Sequence, residues 1–525
     1  MITLSHNRIR LILYGLVLSN IMAGVEGTIV ATARPFIVED LHRFDLTVWI
    51  FVAYLLTQTV ATTLWGKLSD LFGRQRLYQL SIIIFICGSI VCGLANSMSM
   101  LIVGRAIQGV GAGGLFTLTM TIMGDILAPR DRGKYIGYMA GSFAVATVLG
   151  PLVGGLIVDH YSWRWIFFLM PPFGVIALAM SFFTLGLPFA RRAHQIDYIG
   201  ALTMTIWVTA IMLYLTFGEK DGWASPKMLL ALGIFVVGLA TFIWVERRAA
   251  EPILPLHLFR ERLFTTVVTT HFVVGTVLTS VSIMAPLFLQ IVGGSTATRS
   301  GLLTVPLTIG MLLTSVISGR RISTTGKYRI YPIVGTGMMV TAAVGLATMG
   351  TTTGRVLPAI YMFVFGMGMG NTMQTITVAV QNRVRHEDLG VATSATGFFR
   401  GLGQTAGSAV YSAILVGRLD HWLPKLVPDG SLVDSASLRD SPRQILEMPE
   451  AVRIGIVESF SRSLHVVFLA GIPACVIAFI LAWRVPEFPL RSNFTPATDD
   501  GTTTNGSGSA VEATPAEATP VEVHA

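Results

Sequence analysis

Apolar runs of about 20 residues recur along most of this chain, and no other feature limits its fold so strongly. Wound as a helix, such a run is about 30 Å long, the hydrocarbon thickness of a bilayer. A soluble domain would have to bury every run. With 52% hydrophobic and only 13% charged residues, the chain lacks the polar surface to enclose such a core. Inside a bilayer each backbone amide must find its partner within its own helix, so the expected class is an all-α integral membrane protein. Fourteen spans are read at roughly 10–31, 46–65, 77–95, 100–123, 134–157, 163–186, 198–217, 228–245, 264–290, 299–318, 329–349, 356–379, 391–416 and 463–484.

The remaining charge reports topology. A net charge of +8 in a soluble protein would raise the question of nucleic acid; here the cations sit in loops between spans, and no nucleic-acid partner is expected. With the N-terminus placed inside, the inner loops and N-terminal tail hold twenty Lys and Arg against seven in the short outer loops. That bias predicts a multi-pass plasma-membrane protein with both termini cytoplasmic. Arg8 and Arg10 before an apolar run, with Ala31-Thr32-Ala33 after it, imitate a signal peptide. The run is too long for one and further spans follow at once, so an uncleaved first helix is expected. Cys87, Cys92 and Cys475 lie inside apolar runs and read as small core residues. Residues 417–462, with Pro424, Pro428, Pro442 and Pro449, read as one long outer loop that could carry short helices. The Thr/Ala/Gly/Pro/Glu-rich tail from 491 is expected to be disordered.

A charged, glycine-punctuated turn links spans 2 and 3: Gly66-Lys67-Leu68-Ser69-Asp70-Leu71-Phe72-Gly73-Arg74-Gln75-Arg76. Its spacing returns in the other half, where Gly319, Gly326, Lys327 and Arg329 repeat Gly66, Gly73, Arg74 and Arg76, and Ser323 stands for Asp70. Gly109, Gly111 and Gly113 are echoed by Gly366, Gly368 and Gly370, and Gly150 and Gly154 by Gly403 and Gly407. An even number of spans separates the copies, so the repeat is parallel. The division expected is a cytoplasmic N-terminus (1–9), a six-helix bundle (10–190), an inserted helix pair (191–250), a second six-helix bundle with the outer loop (251–490) and a tail (491–525).

Few residues could carry chemistry. Gly109-Val110-Gly111-Ala112-Gly113-Gly114 matches a dinucleotide-binding pattern but lies inside an apolar helix, without the strand that motif needs; close helix packing is the better reading. Gly137, Gly150, Pro151, Gly154 and Gly155 line span 5, where they allow close packing and a kink, and also fit a pliable interface between halves that move. Glu26 is the only acid well inside a span, with Asp125 near the inner end of span 4; Arg105 and Arg400 are the only cations so placed. A charge at that depth costs about 2.5–3.5 kcal/mol on insertion scales, so each must face a cavity, water or a partner. No other carboxylate is available at Glu26's depth to carry a proton. Ser19, seven residues away, puts a small polar stripe on the same face. Tyr54, Gln58, His271, Gln290, Asn371, Gln374 and Arg400 complete the polar candidates for a central cavity; each could equally be an interhelical hydrogen bond.

Over about residues 10–485 these motifs resemble the fourteen-helix drug:proton antiporter branch of the major facilitator superfamily. Gly66, Asp70, Gly73, Arg74 and Arg76 fall on the pattern of its signature between helices 2 and 3. Glu26-Gly27-Thr28-Ile29-Val30-Ala31-Thr32-Ala33-Arg34-Pro35 is similar to its helix-1 signature, which usually begins with Asp and has Leu where Arg34 stands. Arg105-Ala106-Ile107-Gln108-Gly109 matches the helix-4 motif, whose arginine is implicated in proton coupling. Gly137 to Gly155 matches the helix-5 antiporter motif with Ala146 for one glycine, and Trp163-Arg164-Trp165-Ile166-Phe167 and Phe399-Arg400-Gly401-Leu402-Gly403 also look like that branch. The resemblance implies two pseudo-symmetric six-helix bundles plus two inserted helices, and proton-coupled export of amphipathic, drug-like compounds, cationic ones among them. Glu26, Arg105 and Asp125 would serve proton coupling, and Asp70 with the loop arginines would latch the cytoplasmic side. Neither a cofactor beyond the proton gradient nor a second copy of the chain is expected to be needed. Dedicated export of one metabolite, siderophore or lipid is the alternative. An embedded enzyme would need H-E-x-x-H, G-x-S-x-G or clustered acids, none of which occurs, and a sensor would need an output domain.

Overall fold

Backbone groups in long apolar segments have no water to bond with, and helix is the answer the chain adopts throughout. The computed structural model describes residues 6–43, 46–127, 129–185, 197–295, 297–354, 356–427 and 448–490, and among them there is no strand. The helices are α1 (His6–Leu41), α2 (Trp49–Phe72), α3 (Arg74–Gly93), α4 (Met98–Ile126), α5 (Pro129–His160), α6 (Trp165–Phe168), α7 (Met170–Thr184), α8 (Tyr198–Asp221), α9 (Pro226–Glu246), α10 (Arg262–Thr279), α11 (Ala285–Ile291), α12 (Ala297–Thr325), α13 (Ile330–Ala347), α14 (Val356–Arg383), α15 (Leu389–Leu426) and α16 (Glu450–Trp483). A π-helical turn, Ser280–Met284, joins α10 to α11 just before Pro286, whose missing N–H and bulky ring disrupt the regular ladder. Counting α6–α7 and α10–α11 as one element each, fourteen long elements stand at the fourteen expected positions.

Eleven of the described helices are long and apolar enough to cross a membrane; α2, α5 and α15 are not among them. In α2 the hydroxyls of Thr57, Thr59 and Thr62 bond backwards to their own helix, and α2 packs along α15 as α5 packs along α12. The pairing pattern itself repeats. α4 lies on α2 and α3 as α14 lies on α12 and α13. α1 lies on α5 and α7 as α10 lies on α15 and α16. Buried apolar side chains form two clusters, one drawn almost wholly from α1–α7 and the other from α8–α16.

Glycine explains how closely the repeated pairs approach. A Cβ on Gly109 or Gly113 would strike the Tyr54 or Gln58 carbonyl of α2, and one on Gly366 or Gly370 the Leu307 or Met311 carbonyl of α12. Gly111 and Gly368 do the same toward α3 and α13. These glycines are a packing device, as the missing strand implied.

Two expectations need correction. The Gly66–Arg76 segment is almost entirely helical: α2 runs to Phe72, α3 starts at Arg74, and the turn is Gly73 alone, at φ +92°. Its counterpart Gly326 takes φ +73°, so both copies break at the position where only glycine is unstrained. Residues 417–462 are not one loop either. α15 continues to Leu426 and α16 begins at Glu450, because Leu415, Leu419 and Leu423 on one and Ile456, Phe460 and Leu464 on the other bury apolar stripes at helical spacing. Residues 428–447 of that stretch and the tail from 491 lie outside the described residues.

Candidate functional site

Glu26 projects from the middle of α1 and is fully buried; Arg105, one of the largest fully buried side chains, projects toward it from α4. Arg105 Nη1 donates to Glu26 Oε1 at 2.7 Å and to Gln108 Oε1 at 2.7 Å, and its Nε donates to the Ile50 carbonyl at 3.1 Å. Its guanidinium carbon sits 4.1 Å from the centre of the Tyr54 ring. Gln108 Nε2 continues the chain to Ser89 Oγ at 3.0 Å, and Ser89 donates to the Phe167 carbonyl at 3.0 Å. The local sequence makes this possible: Gly109 brings α4 against α2 at Tyr54, and Gly88 brings α3 against Gln108. Four helices therefore close on one ion pair. Removing one partner of such a buried pair typically costs about 3–5 kcal/mol, since the other charge is left uncompensated. Two polar atoms stay open: among the described residues neither Glu26 Oε2 nor the Tyr54 hydroxyl has a hydrogen-bond partner.

A second network lies at the Gly73 end. Arg74 bonds Asp70, donates from Nε to Asp125 Oδ2 at 2.9 Å, and donates from Nη1 to Ser69 Oγ at 2.7 Å. Asp70 Oδ2 accepts the Val391 N–H at 3.2 Å, placing a carboxylate against the first turn of α15, where orphan amides and the helix dipole favour negative charge. Gly66 and Gly390 allow the approach, since a Cβ on either would strike Ser394 or Asp70. Gln381 Nε2 adds a contact from α14 to the Met120 carbonyl at 3.4 Å. The two halves are thus joined at this end. Lys67 extends the network to Glu251, just past α9, at 3.4 Å. Arg76 is exposed. In the second copy Arg329 donates to the Trp483 carbonyl at 3.0 Å and Ser323 bonds back to Gly319, and among the described residues no carboxylate latch is repeated there.

The structure brings Glu26, Arg105 and Tyr54 together and separates them from Asp125, which lies twenty residues, roughly 30 Å, further along α4. Ser19 is buried against α3, sharing a 2.6 Å hydrogen bond with the Tyr78 hydroxyl. His271 shares hydrogen bonds with the Val267 carbonyl at 3.0 Å and Thr377 at 3.3 Å. Gln58, Gln374 and Arg400 are half-buried on α2, α14 and α15, and Thr59 meets Gly401 where α2 crosses α15. Gln290 is tied to Ser300 and Asn371 packs on α13 at Gly335, so both serve contacts within their own half. On α5, Gly150 and Gly154 face Thr28 and Thr32 of α1, whereas Gly141 approaches Leu312 of α12; Gly155 meets nothing. Gly137 and Pro151 are helical, with surroundings outside the described residues. At the far end Asp40 accepts from Arg164 at 2.8 Å and Trp163 at 3.1 Å, which holds its carboxyl below the usual range. Sequence reasoning quoted Gln108 and Lys67 within motifs without giving them a role and did not single out Ser89, Glu251 or the α15 amides; of these Gln108, one helical turn from Arg105, carried a signal.

The family model of the Major Facilitator Superfamily matches residues 16–408. An uncharacterised MFS-type transporter of Mycobacterium tuberculosis is 36% identical over 501 residues, covering 95% of this chain and 72% of that one. A multidrug transporter protein of Bacillus subtilis, MdtP, is 37% identical over 424 residues, covering 80% and 77%. The human organic anion transporter MFSD10 superposes with a TM-score of 0.61 at 13% identity, over 90% of this chain and 99% of that one, a likeness of fold. With its duplicated helix pairing and glycine-hinged turns, this multi-pass membrane chain belongs to the major facilitator superfamily and is a transporter rather than an enzyme.

Proposed function

We propose that the chain is a proton-coupled exporter of amphipathic, drug-like compounds, working by alternating access between the α1–α7 and α10–α16 groups with α8–α9 as an inserted pair. The observation that carries this reading is the sealed Glu26–Arg105 pair with an open Glu26 Oε2. A carboxylate there can exchange its guanidinium partner for a proton, and that exchange changes the charge balance among α1, α2 and α4 without any cofactor. In this reading Asp70 on the first turn of α15 is the contact that closes the Gly73 end. Half-buried Gln58 of α2 and Arg400 of α15 adjoin in sequence the Thr59–Gly401 contact of those helices, and with Gln374 of α14 they are the side chains assigned to the substrate. The name of the Bacillus relative favours several substrates over one. The protein is taken to act as a monomer in the cell membrane, with both termini cytoplasmic.

The test is uptake of a cationic dye by inverted vesicles containing the chain. An imposed pH gradient should drive accumulation and a protonophore should collapse it; uptake indifferent to the gradient would contradict proton coupling. Orientation has its own test. A cysteine replacing Glu450 should react with an impermeant thiol reagent from outside intact cells, and one replacing the exposed Arg76 should not. The reverse pattern would invert the topology. For the latch, Asp70→Asn should lower turnover several-fold at saturating substrate with normal amounts of folded protein, because it removes a charge from a gate and leaves the core intact. Unchanged turnover would dismiss the latch.

A further inference from the structure

Three arginines from three helices meet at one level of the membrane. Arg262 opens α10, Arg329 caps the start of α13 and Arg484 follows the end of α16, and all three line one pocket of about 440 Å³ with Phe479, Trp483 and Pro486. That volume lies within the range of about 300–1,000 Å³ common for small-molecule sites. Among the described residues none of the three forms an ion pair. Arg329 spends one N–H on the Trp483 carbonyl, while its Nε, buried, has no acceptor. The acids beside the pocket in sequence, Glu261 and Glu487, are exposed and pair with none of these arginines. The pocket is therefore cationic and unsatisfied.

Its other wall is apolar and faces outward, with Ile480 49% and Trp483 54% exposed on the face of α16 that meets lipid. Free phosphate has no use for such a wall. A phospholipid does: its phosphate takes the guanidinium forks, and its chains lie along Ile480 and Trp483. We propose that this pocket binds the headgroup of an anionic phospholipid. The site rests on the membrane reading and not on proton coupling. It abuts a strap, because Tyr328 donates to the Pro486 carbonyl at 2.9 Å and accepts the Phe488 N–H at 2.9 Å, and Asn382 holds the Pro489 carbonyl at 3.1 Å. Leu490, at its end, packs on both apolar clusters.

The experiment titrates the purified full chain in detergent with phosphatidylglycerol, phosphatidylcholine or inorganic phosphate and counts bound molecules by native mass spectrometry. Wild type should retain one phosphatidylglycerol in clear preference to phosphatidylcholine. The Arg262→Gln/Arg484→Gln variant, altered at two exposed helix ends, should lose roughly 30-fold in that affinity, at about 1 kcal/mol per arginine. Arg320→Gln/Arg321→Gln removes the same charge from exposed positions outside the pocket and should keep the preference. Equal binding by the Arg262/Arg484 variant, or no preference in wild type, would overturn the site. Displacement of the lipid by millimolar phosphate would assign the pocket to a free anion and equally overturn it.

Discussion

Glu26→Gln should leave a folded protein that no longer accumulates a cationic dye against its gradient, with uptake falling to that of vesicles lacking the transporter. The glutamine carbonyl can still accept from Arg105 Nη1, and the bonds from Arg105 Nε to the Ile50 carbonyl and from Nη1 to Gln108 remain, so the four-helix junction keeps its shape. What it cannot do is alternate between charged and neutral forms. Proton binding and guanidinium pairing compete for one carboxylate, and a side chain fixed in the neutral form removes the competition. Binding of uncharged compounds should persist. Glu26→Asp shortens the acid by one methylene but keeps the proton site, and much of the activity should survive. Gradient-driven accumulation by Glu26→Gln would move the proton route elsewhere, with Asp125 and its Arg74 partner the next place to look.

The second large effect is on stability. Arg105→Met should destabilise the protein by about 3–5 kcal/mol, because it leaves the fully buried Glu26 carboxylate without its guanidinium partner. It also strips the Tyr54 ring of the cation 4.1 Å above it. Adding Glu26→Gln to Arg105→Met should restore most of the loss, since a neutral amide is far easier to bury than a lone charge. Thermal melting of the two single variants and the double in detergent measures this coupling. Additive losses would mean that the two residues do not stabilise each other as an ion pair.

Much of this arrangement was legible in the chain. Fourteen apolar or near-apolar stretches fixed the elements, and the glycine echoes pointed to helices repeated in packing as well as in order: Gly109 and Gly366 meet carbonyls of α2 and α12, as equivalent positions should. The depth of Glu26 and Arg105 marked both as needing partners. Nothing in the sequence said they were each other's partner, because helical periodicity gives a face within one helix but not the rotation of α1 against α4, 79 residues away. The same gap left open which partner each span-5 glycine meets: Gly150 and Gly154 turn toward α1, while Gly141 of the same helix approaches Leu312 of α12. Hydropathy failed differently at 417–462: it registers apolar runs, and the outer turns of α15 and α16 are amphipathic. The Gly73 turn looked like a loop because its residues are charged, yet that charge is satisfied in helical geometry across Ser69, Asp70, Arg74 and Asp125.

Proton counting during transport tests most directly whether Glu26 couples the two fluxes. Proteoliposomes containing the wild-type chain and a pH-sensitive dye should show protons moving opposite to an added cationic substrate, at the rate of substrate movement, and Glu26→Gln proteoliposomes should show none. Proton movement of equal size in both would contradict the role assigned to Glu26.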